Sequence, residues 1–171
     1  QTVIYFPGSN AIFDRSSETA LQTSAIDFII KSGRAVLYPV YTGTYERNHG
    51  VTSDQPNETN AYKEWIIQVA KDLRRSVDYL ETRQDIDKDR LAYYGLSWGG
   101  RLGGLLVALE NRFKVTILYV AGLKFQRSLP EVDPFNYVTR IKIPVLMLNG
   151  KYDQFFPVET SQKPMFALFG T

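Results

Sequence analysis

Short apolar runs alternate with segments of helical periodicity along most of this chain. The runs are rich in β-branched and aromatic residues, and they predict strands near residues 3–6, 35–40, 91–95, 115–120 and 144–149. A strand followed by a helix, repeated several times, favours a parallel sheet with helices on both faces. The sequence therefore predicts an α/β fold, a three-layer α/β/α sandwich with a mostly parallel sheet.

The segments between these runs have helical patterns. Within residues 60–82, apolar side chains from Tyr62 to Leu80 recur at steps of three and four, which places one stripe against the sheet. An earlier helix is expected from Ser17, a suitable N-cap, to Gly33, which suits the left-handed position after a helix. Further helices are expected directly after residue 97 and from 158 to about 169.

Composition narrows the class of protein. The 171 residues are 44% hydrophobic, which suffices for one domain over residues 1–171. A net charge of +2 without a basic stripe argues against nucleic-acid binding. The absence of cysteine excludes disulfides and thiolate metal sites. No apolar run approaches the roughly 18 residues that span a bilayer. We therefore expect a soluble chain that binds no membrane, with the cytoplasm slightly favoured and the oligomeric state open.

The motif Gly95-Leu96-Ser97-Trp98-Gly99 joins the third predicted strand to a Leu-rich helix. A G-x-S-x-G sequence in this context is typical of a nucleophile elbow, in which a sharp turn exposes the serine hydroxyl. Ser97 is accordingly a candidate nucleophile. The backbone N–H of Trp98, at the start of the helix, is a candidate donor to an oxyanion. The alternative is a glycine-rich turn with a surface serine.

A carboxylate follows the last predicted strand. Asp153 lies in the turn after residues 144–149, at the carboxyl end of the strand, where it would orient an imidazole. It also follows Ser97 in the chain, which matches the order of serine and then aspartate expected after a nucleophile elbow. The alternative is an ordinary turn or capping carboxylate before a helix that starts near Pro157.

The loop after the first strand is the expected source of a second oxyanion donor. Gly8 allows the backbone to approach a substrate, and the N–H of Ser9 or Asn10 is the candidate donor. The alternative here is a plain Pro-Gly turn.

Together these segments resemble α/β-hydrolase serine hydrolases of the prolyl-oligopeptidase and dienelactone-hydrolase-like branch. The resemblance is carried by residues 3–8, 90–100 and 143–153, with Pro157 after them. It implies that the second strand lies on one side of the first, with strands three, four and five on the other. It also implies hydrolysis of a small-molecule ester, or less often an amide, through an acyl-serine intermediate. No cofactor is implied.

The histidine of a catalytic triad is the departure from this resemblance. The family places it after one further strand beyond the acid, and no histidine follows Asp153. The single histidine, His49, precedes Ser97, so we expect it to be an exposed loop residue. We expect the protein to continue past Thr171, so that the α/β-hydrolase fold here lacks its last strand. The alternative is a triad-deficient relative that binds without catalysis, and a peptidase or amidase of the same fold is a further candidate.

Two irregular segments, 41–59 and 122–135, follow predicted strands and are expected to form the walls of a substrate pocket. Tyr41 and Tyr45 are candidate pocket residues, whereas Trp65 belongs to a helix stripe and is expected to pack in the core. No metal site is predicted. Three aspartates alternate like a calcium loop, but the continuation that such a loop needs is absent, so a polar turn is expected. They are Asp85, Asp87 and Asp89.

Overall fold

A five-stranded parallel sheet organises the chain, and the computed structural model describes residues 1–170. The strands are β1 (Thr2–Phe6), β2 (Ala35–Leu37), β3 (Leu91–Leu96), β4 (Phe113–Tyr119) and β5 (Val145–Leu148). They pair in parallel in the order β2-β1-β3-β4-β5. The predicted sheet class and the strand order implied by the resemblance are both confirmed.

Helices connect these strands. The α-helices are α1 (Asn10–Phe13), α2 (Ser17–Ala20), α3 (Asp27–Lys31), α4 (Asn60–Thr82), α5 (Trp98–Leu106) and α6 (Lys163–Ala167). Shorter 3₁₀ turns cover Thr23–Ala25, Tyr45–Arg47, Val107–Leu109, Pro134–Asn136 and Val138–Arg140, and a π-helical turn covers Val158–Gln162. No helix within residues 1–170 is long and apolar enough to cross a membrane.

The two faces of the sheet carry separate cores because alternate residues of a strand point to opposite sides. On one face, Val3 and Tyr5 of β1 pack with Ile26 and Ile29 near α3. On the other face, Ile4 and Phe6 of β1 join the apolar stripes of α4 and α5 in the larger core. Helices therefore cover the sheet on both sides, which confirms the predicted three-layer arrangement.

Two predicted elements differ clearly from the observed ones. The single helix expected from Ser17 to Gly33 is broken, because Leu21 takes an extended conformation (ψ 129°) and ends α2. Gly33 does follow α3 at the predicted left-handed position, with a φ of 80°. The strand expected over 35–40 ends at Leu37, and Pro39 beyond it has no N–H to donate to a neighbouring strand.

Helix α5 lies very close to the end of β1. A methyl group at Gly99 would come 2.7 Å from Cδ1 of Phe6 and would also collide with the Phe6 carbonyl oxygen. A methyl group at Gly95 would collide with the Gly99 carbonyl group and would lie 2.8 Å from Cε1 of Tyr93. Backbone cannot move aside as a flexible side chain does, so glycine is required at both flanks of the elbow.

We predict that Gly99→Ala lowers the free energy of unfolding by about 2 kcal/mol or more, because the added methyl group overpacks the contact with β1. Gly150→Ala is the matched control, since the nearest atom to its added methyl group would be the Asp153 nitrogen at 4.0 Å. Its effect should stay within about 0.5 kcal/mol. Urea denaturation of both variants gives the comparison, and equal stabilities would contradict the close approach.

Candidate active site

The backbone of Ser97 is strained. Its φ of 52° and ψ of −102° lie outside the regions that side-chain-bearing residues normally occupy. Two hydrogen bonds hold this conformation: the Ser97 N–H donates to the Tyr119 carbonyl (2.8 Å), and the Arg101 N–H donates to the Ser97 carbonyl (2.8 Å). Ser97 is half-buried at the carboxyl end of β3. The turn has the geometry that a nucleophile elbow requires.

Backbone N–H groups without acceptors surround this turn. The Gly99 N–H donates to the Pro7 carbonyl (3.1 Å), whereas the Trp98 N–H has no acceptor within residues 1–170. In the first turn of α1, the N–H groups of Ser9 and Asn10 also lack acceptors in the described part of the chain. A methyl group at Gly8 would lie 3.6 Å from Cβ of Ser97, so the loop after β1 touches the elbow. The structure thus brings together the residues expected to form the oxyanion site.

The turn that carries Asp153 is fixed by its own hydrogen bonds. One carboxylate oxygen, Oδ1, accepts from the N–H groups of Phe155 (2.7 Å) and Phe156 (3.0 Å). The other oxygen, Oδ2, has no donor among the described residues. Asp153 is half-buried, so this second oxygen remains available to a further partner.

Strand β4 separates the elbow from the acid turn. Ser97 follows β3 and Asp153 follows β5, so the two supporting strands are about 10 Å apart. Because the strands are parallel, both residues lie at the same carboxyl edge of the sheet. This spacing leaves room for a ring between a serine hydroxyl and a carboxylate.

The two predicted loops both line a groove at this edge. We call it the loop groove; it has a volume of about 330 Å³, and its lining includes Gln55, Leu123, Lys124, Phe125, Gln154 and Phe155. Burial lowers the pKa of the Lys124 ammonium, and the charge of Arg101 lowers it further. The carboxylates of Asp54 and Asp153 act on its pKa in the opposite direction.

Tyr41 and Tyr45 do not line an open pocket, and that prediction was wrong. Tyr41 is 0% exposed, stacks on Phe6 at 4.1 Å between ring centroids, and donates its hydroxyl to the Tyr5 carbonyl. Tyr45 is 1% exposed, and its hydroxyl pairs with that of Tyr38 at 2.8 Å. Both rings pack in the interior of the protein against other aromatic side chains. The residue type alone does not show whether a tyrosine packs there or lines a pocket.

Other expectations for individual side chains agree with the structure. His49 is exposed, as expected of a loop residue. Trp65 packs against the ring of Trp98 at 5.3 Å and donates its indole N–H to the Thr42 carbonyl. The aspartates before β3 form a polar turn, in which Asp87 accepts from the N–H of Asp89.

The comparison with known protein families now decides the classification. The sequence profile of the Dienelactone hydrolase family matches residues 22–167, which is most of the chain. The chain belongs to the dienelactone hydrolase family. This match confirms the resemblance inferred from the three sequence segments. It also confirms the predicted α/β-hydrolase fold.

Individual relatives agree with the family. The chain is 29% identical over 140 residues to the alpha/beta hydrolase domain-containing protein WAV2 of Arabidopsis thaliana, a match covering 65% of this chain and 42% of WAV2. An esterase of Pyrococcus furiosus superposes with a TM-score of 0.71 at 18% identity, covering 98% of this chain and 68% of the esterase. An acylaminoacyl peptidase of Pyrococcus horikoshii gives 0.70 at 12% identity, covering 98% and 30%. The two structural matches show the shared fold, and the chain spans less than half of the length of WAV2.

Sequence reasoning missed the side chains that hold the site of this family member in place. Asn149 pairs with both backbone groups of Ala121, at 2.7 Å each, and thereby ties the acid turn to the end of β4. Gln162 donates to the carbonyl groups of Gly150 and Phe156. A polar residue directly after an apolar strand was the available signal for Asn149. Gln162 offered none, because it lies on a helix of mixed polarity.

We predict that Ser97→Gly is more stable than Ser97→Ala by about 1 kcal/mol, because glycine relieves a strain of about 1–3 kcal/mol. Ser97 is the N-cap of α5, where glycine is ordinarily preferred to alanine, and the positive φ adds to that preference. Urea unfolding of the two variants checks it. If alanine is the more stable substitution, the strained conformation of Ser97 is not retained in solution.

Proposed function

We propose that the protein is a serine hydrolase that cleaves small-molecule carboxylic esters through an acyl-serine intermediate. The observation that carries the proposal is the strained turn at Ser97, flanked by the unpaired N–H groups of Trp98, Ser9 and Asn10. A turn of this kind exposes a hydroxyl to attack a carbonyl carbon and supplies donors to the oxygen that becomes negative.

In the proposed reaction, Ser97 Oγ bonds to the acyl carbon while its proton passes to a histidine. The carbonyl oxygen gains negative charge and accepts hydrogen bonds from Trp98 N–H and from Ser9 or Asn10 N–H. The intermediate collapses, the C–O bond to the alcohol breaks, and the histidine protonates the leaving alkoxide. Water then attacks the acyl-serine by the same route and releases the acid.

The proposed base is a histidine outside the described residues, since His49 is exposed in a loop that precedes the elbow. Asp153 would orient it through the oxygen that has no donor within the described residues. The charge of that carboxylate would also stabilise the imidazolium formed when the proton is transferred. The spacing of β3 and β5 supports this arrangement.

We predict that a fluorophosphonate labels the natural full-length protein at Ser97 and that Ser97→Ala abolishes the label.

Asp153→Asn should keep the fold and lower kcat by about 10³–10⁴-fold, because the base loses its orienting charge. Labelling of intact protein followed by peptide mass spectrometry, and ester hydrolysis assays, give the measurements. A folded protein that is neither labelled nor active would favour a non-catalytic binding module. Faster turnover of peptide amides than of short esters would favour a peptidase.

We predict that Ser9→Pro lowers kcat by about 10²–10³-fold if the Ser9 N–H is the second oxyanion donor, because proline removes that hydrogen. The Ser9 φ of −61° already suits proline, so the loop should keep its conformation. Fluorophosphonate labelling would slow in parallel, while stability to urea stays near that of the wild type. Unchanged kcat in a folded Ser9→Pro variant assigns the donor to Asn10 instead.

A further inference from the structure

A buried arginine lies one helical turn after the candidate nucleophile. Arg101 is the fourth residue after Ser97, and its side chain is only 1% exposed. Its Nη2 atom donates to the carbonyl oxygen of Asp54 and to the hydroxyl of Tyr62, each at 3.0 Å. One side chain therefore connects the elbow helix α5, the loop before α4 and the first turn of α4.

This guanidinium has no carboxylate partner within 4 Å among residues 1–170, and its Nε has no acceptor there. Burying a charge without a counter-ion costs several kcal/mol, which two hydrogen bonds to neutral oxygens only partly offset. Arg112 shows the contrasting pattern: it pairs with Glu110, Asp78 and Glu81 before the start of β4, at the amino edge of the sheet.

The loop that Arg101 holds forms part of the loop groove. Asp54 supplies the bonded carbonyl, Gln55 lines the groove, and the neighbouring Pro56 is buried beside Arg101. The other end of this segment is anchored by Thr59, whose hydroxyl accepts from the Tyr62 N–H and caps α4. Between these anchors, the Arg101 bond is the side-chain contact that ties the groove wall to the elbow helix.

We propose that Arg101 is a positioning residue for substrate selection: it sets the distance between the loop-groove wall at residues 54–56 and the hydroxyl of Ser97. This inference rests on the proposed ester hydrolysis at Ser97. Both bonds come from the Nη2 group, and no neutral side chain carries an NH2 group as far from the backbone as arginine does. A wall held at a fixed distance favours substrates that fill the groove over those that do not reach it.

The test compares Arg101→Met with Arg112→Met in the natural full-length protein. Hydrolysis of p-nitrophenyl octanoate and p-nitrophenyl acetate gives the ratio of the two kcat/KM values. We expect Arg101→Met to lower this octanoate-to-acetate ratio about tenfold, because a displaced wall no longer holds the long acyl chain in a reactive position. Arg112→Met removes a larger ion-pair network at the opposite edge, so it should reduce stability and leave the ratio unchanged.

Hydrogen exchange of the segment 52–58 supplies a second measurement that does not depend on activity. Arg101→Met should accelerate exchange there, and Arg112→Met should not. If Arg101→Met does not fold, Arg101→Lys and Tyr62→Phe are compared with Arg112→Met in the same way. We then expect smaller changes in the octanoate-to-acetate ratio and in the exchange rate. An unchanged ratio or unchanged exchange in a folded Arg101 variant overturns the inference. A wild-type protein that a fluorophosphonate fails to label overturns the proposed function instead, and the exchange experiment still tests the contact.

Discussion

The close contact between the start of α5 and the end of β1 is the constraint on which the site depends. Gly99 donates its N–H to the Pro7 carbonyl, and no side chain fits between Gly99 and Phe6. Because α5 begins against this backbone, the chain must reverse within one residue, and Ser97 takes the strained conformation. The same contact brings Gly8 against Ser97, so one packing requirement produces both the strained turn at Ser97 and the neighbouring donors. The cost of the strain is met by the strands and helices that hold the turn on either side.

The backbone N–H groups around the elbow fall into two sets: those that hold the turn through hydrogen bonds and those that have no acceptor in the described chain. The N–H groups of Ser97 and Gly99 are used by Tyr119 and Pro7, and those of Trp98, Ser9 and Asn10 are not used within the described chain. The first N–H groups of a helix have no intrahelical acceptor, and here the starts of α1 and α5 place such groups next to Ser97. Fixed donors of this kind need no rearrangement when charge develops on a substrate, which is why they are effective in hydrolases.

Polar side chains hold the loops around the elbow, and they do so in two ways. Asn149 and Gln162 use neutral amides, which satisfy backbone groups without the cost of burying a charge. Arg101 uses a charged group that reaches two elements at once. The acid turn is thereby tied to the end of β4, and the loop before α4 is tied to the elbow helix. The loop groove lies between these anchored segments, so its shape depends on a few contacts rather than on the sheet itself.

The sequence alone determined the class of sheet, the glycine-flanked turn at Ser97 and the place of Asp153 after the last strand, because alternating strands and helices, a glycine-flanked serine and a carboxylate after an apolar run are local patterns. It did not determine where α2 ends, since the extended turn at Leu21 breaks a helix that periodicity alone would continue. Tyr41 and Tyr45 illustrate the same limit: a tyrosine after a strand is compatible with a pocket wall or with the core, and only packing against Phe6 and Tyr38 decides between them. The tertiary structure alone also assigned Arg101, Asn149 and Gln162 to the site, because their partners are distant in the chain and no local pattern specifies a contact across separate elements.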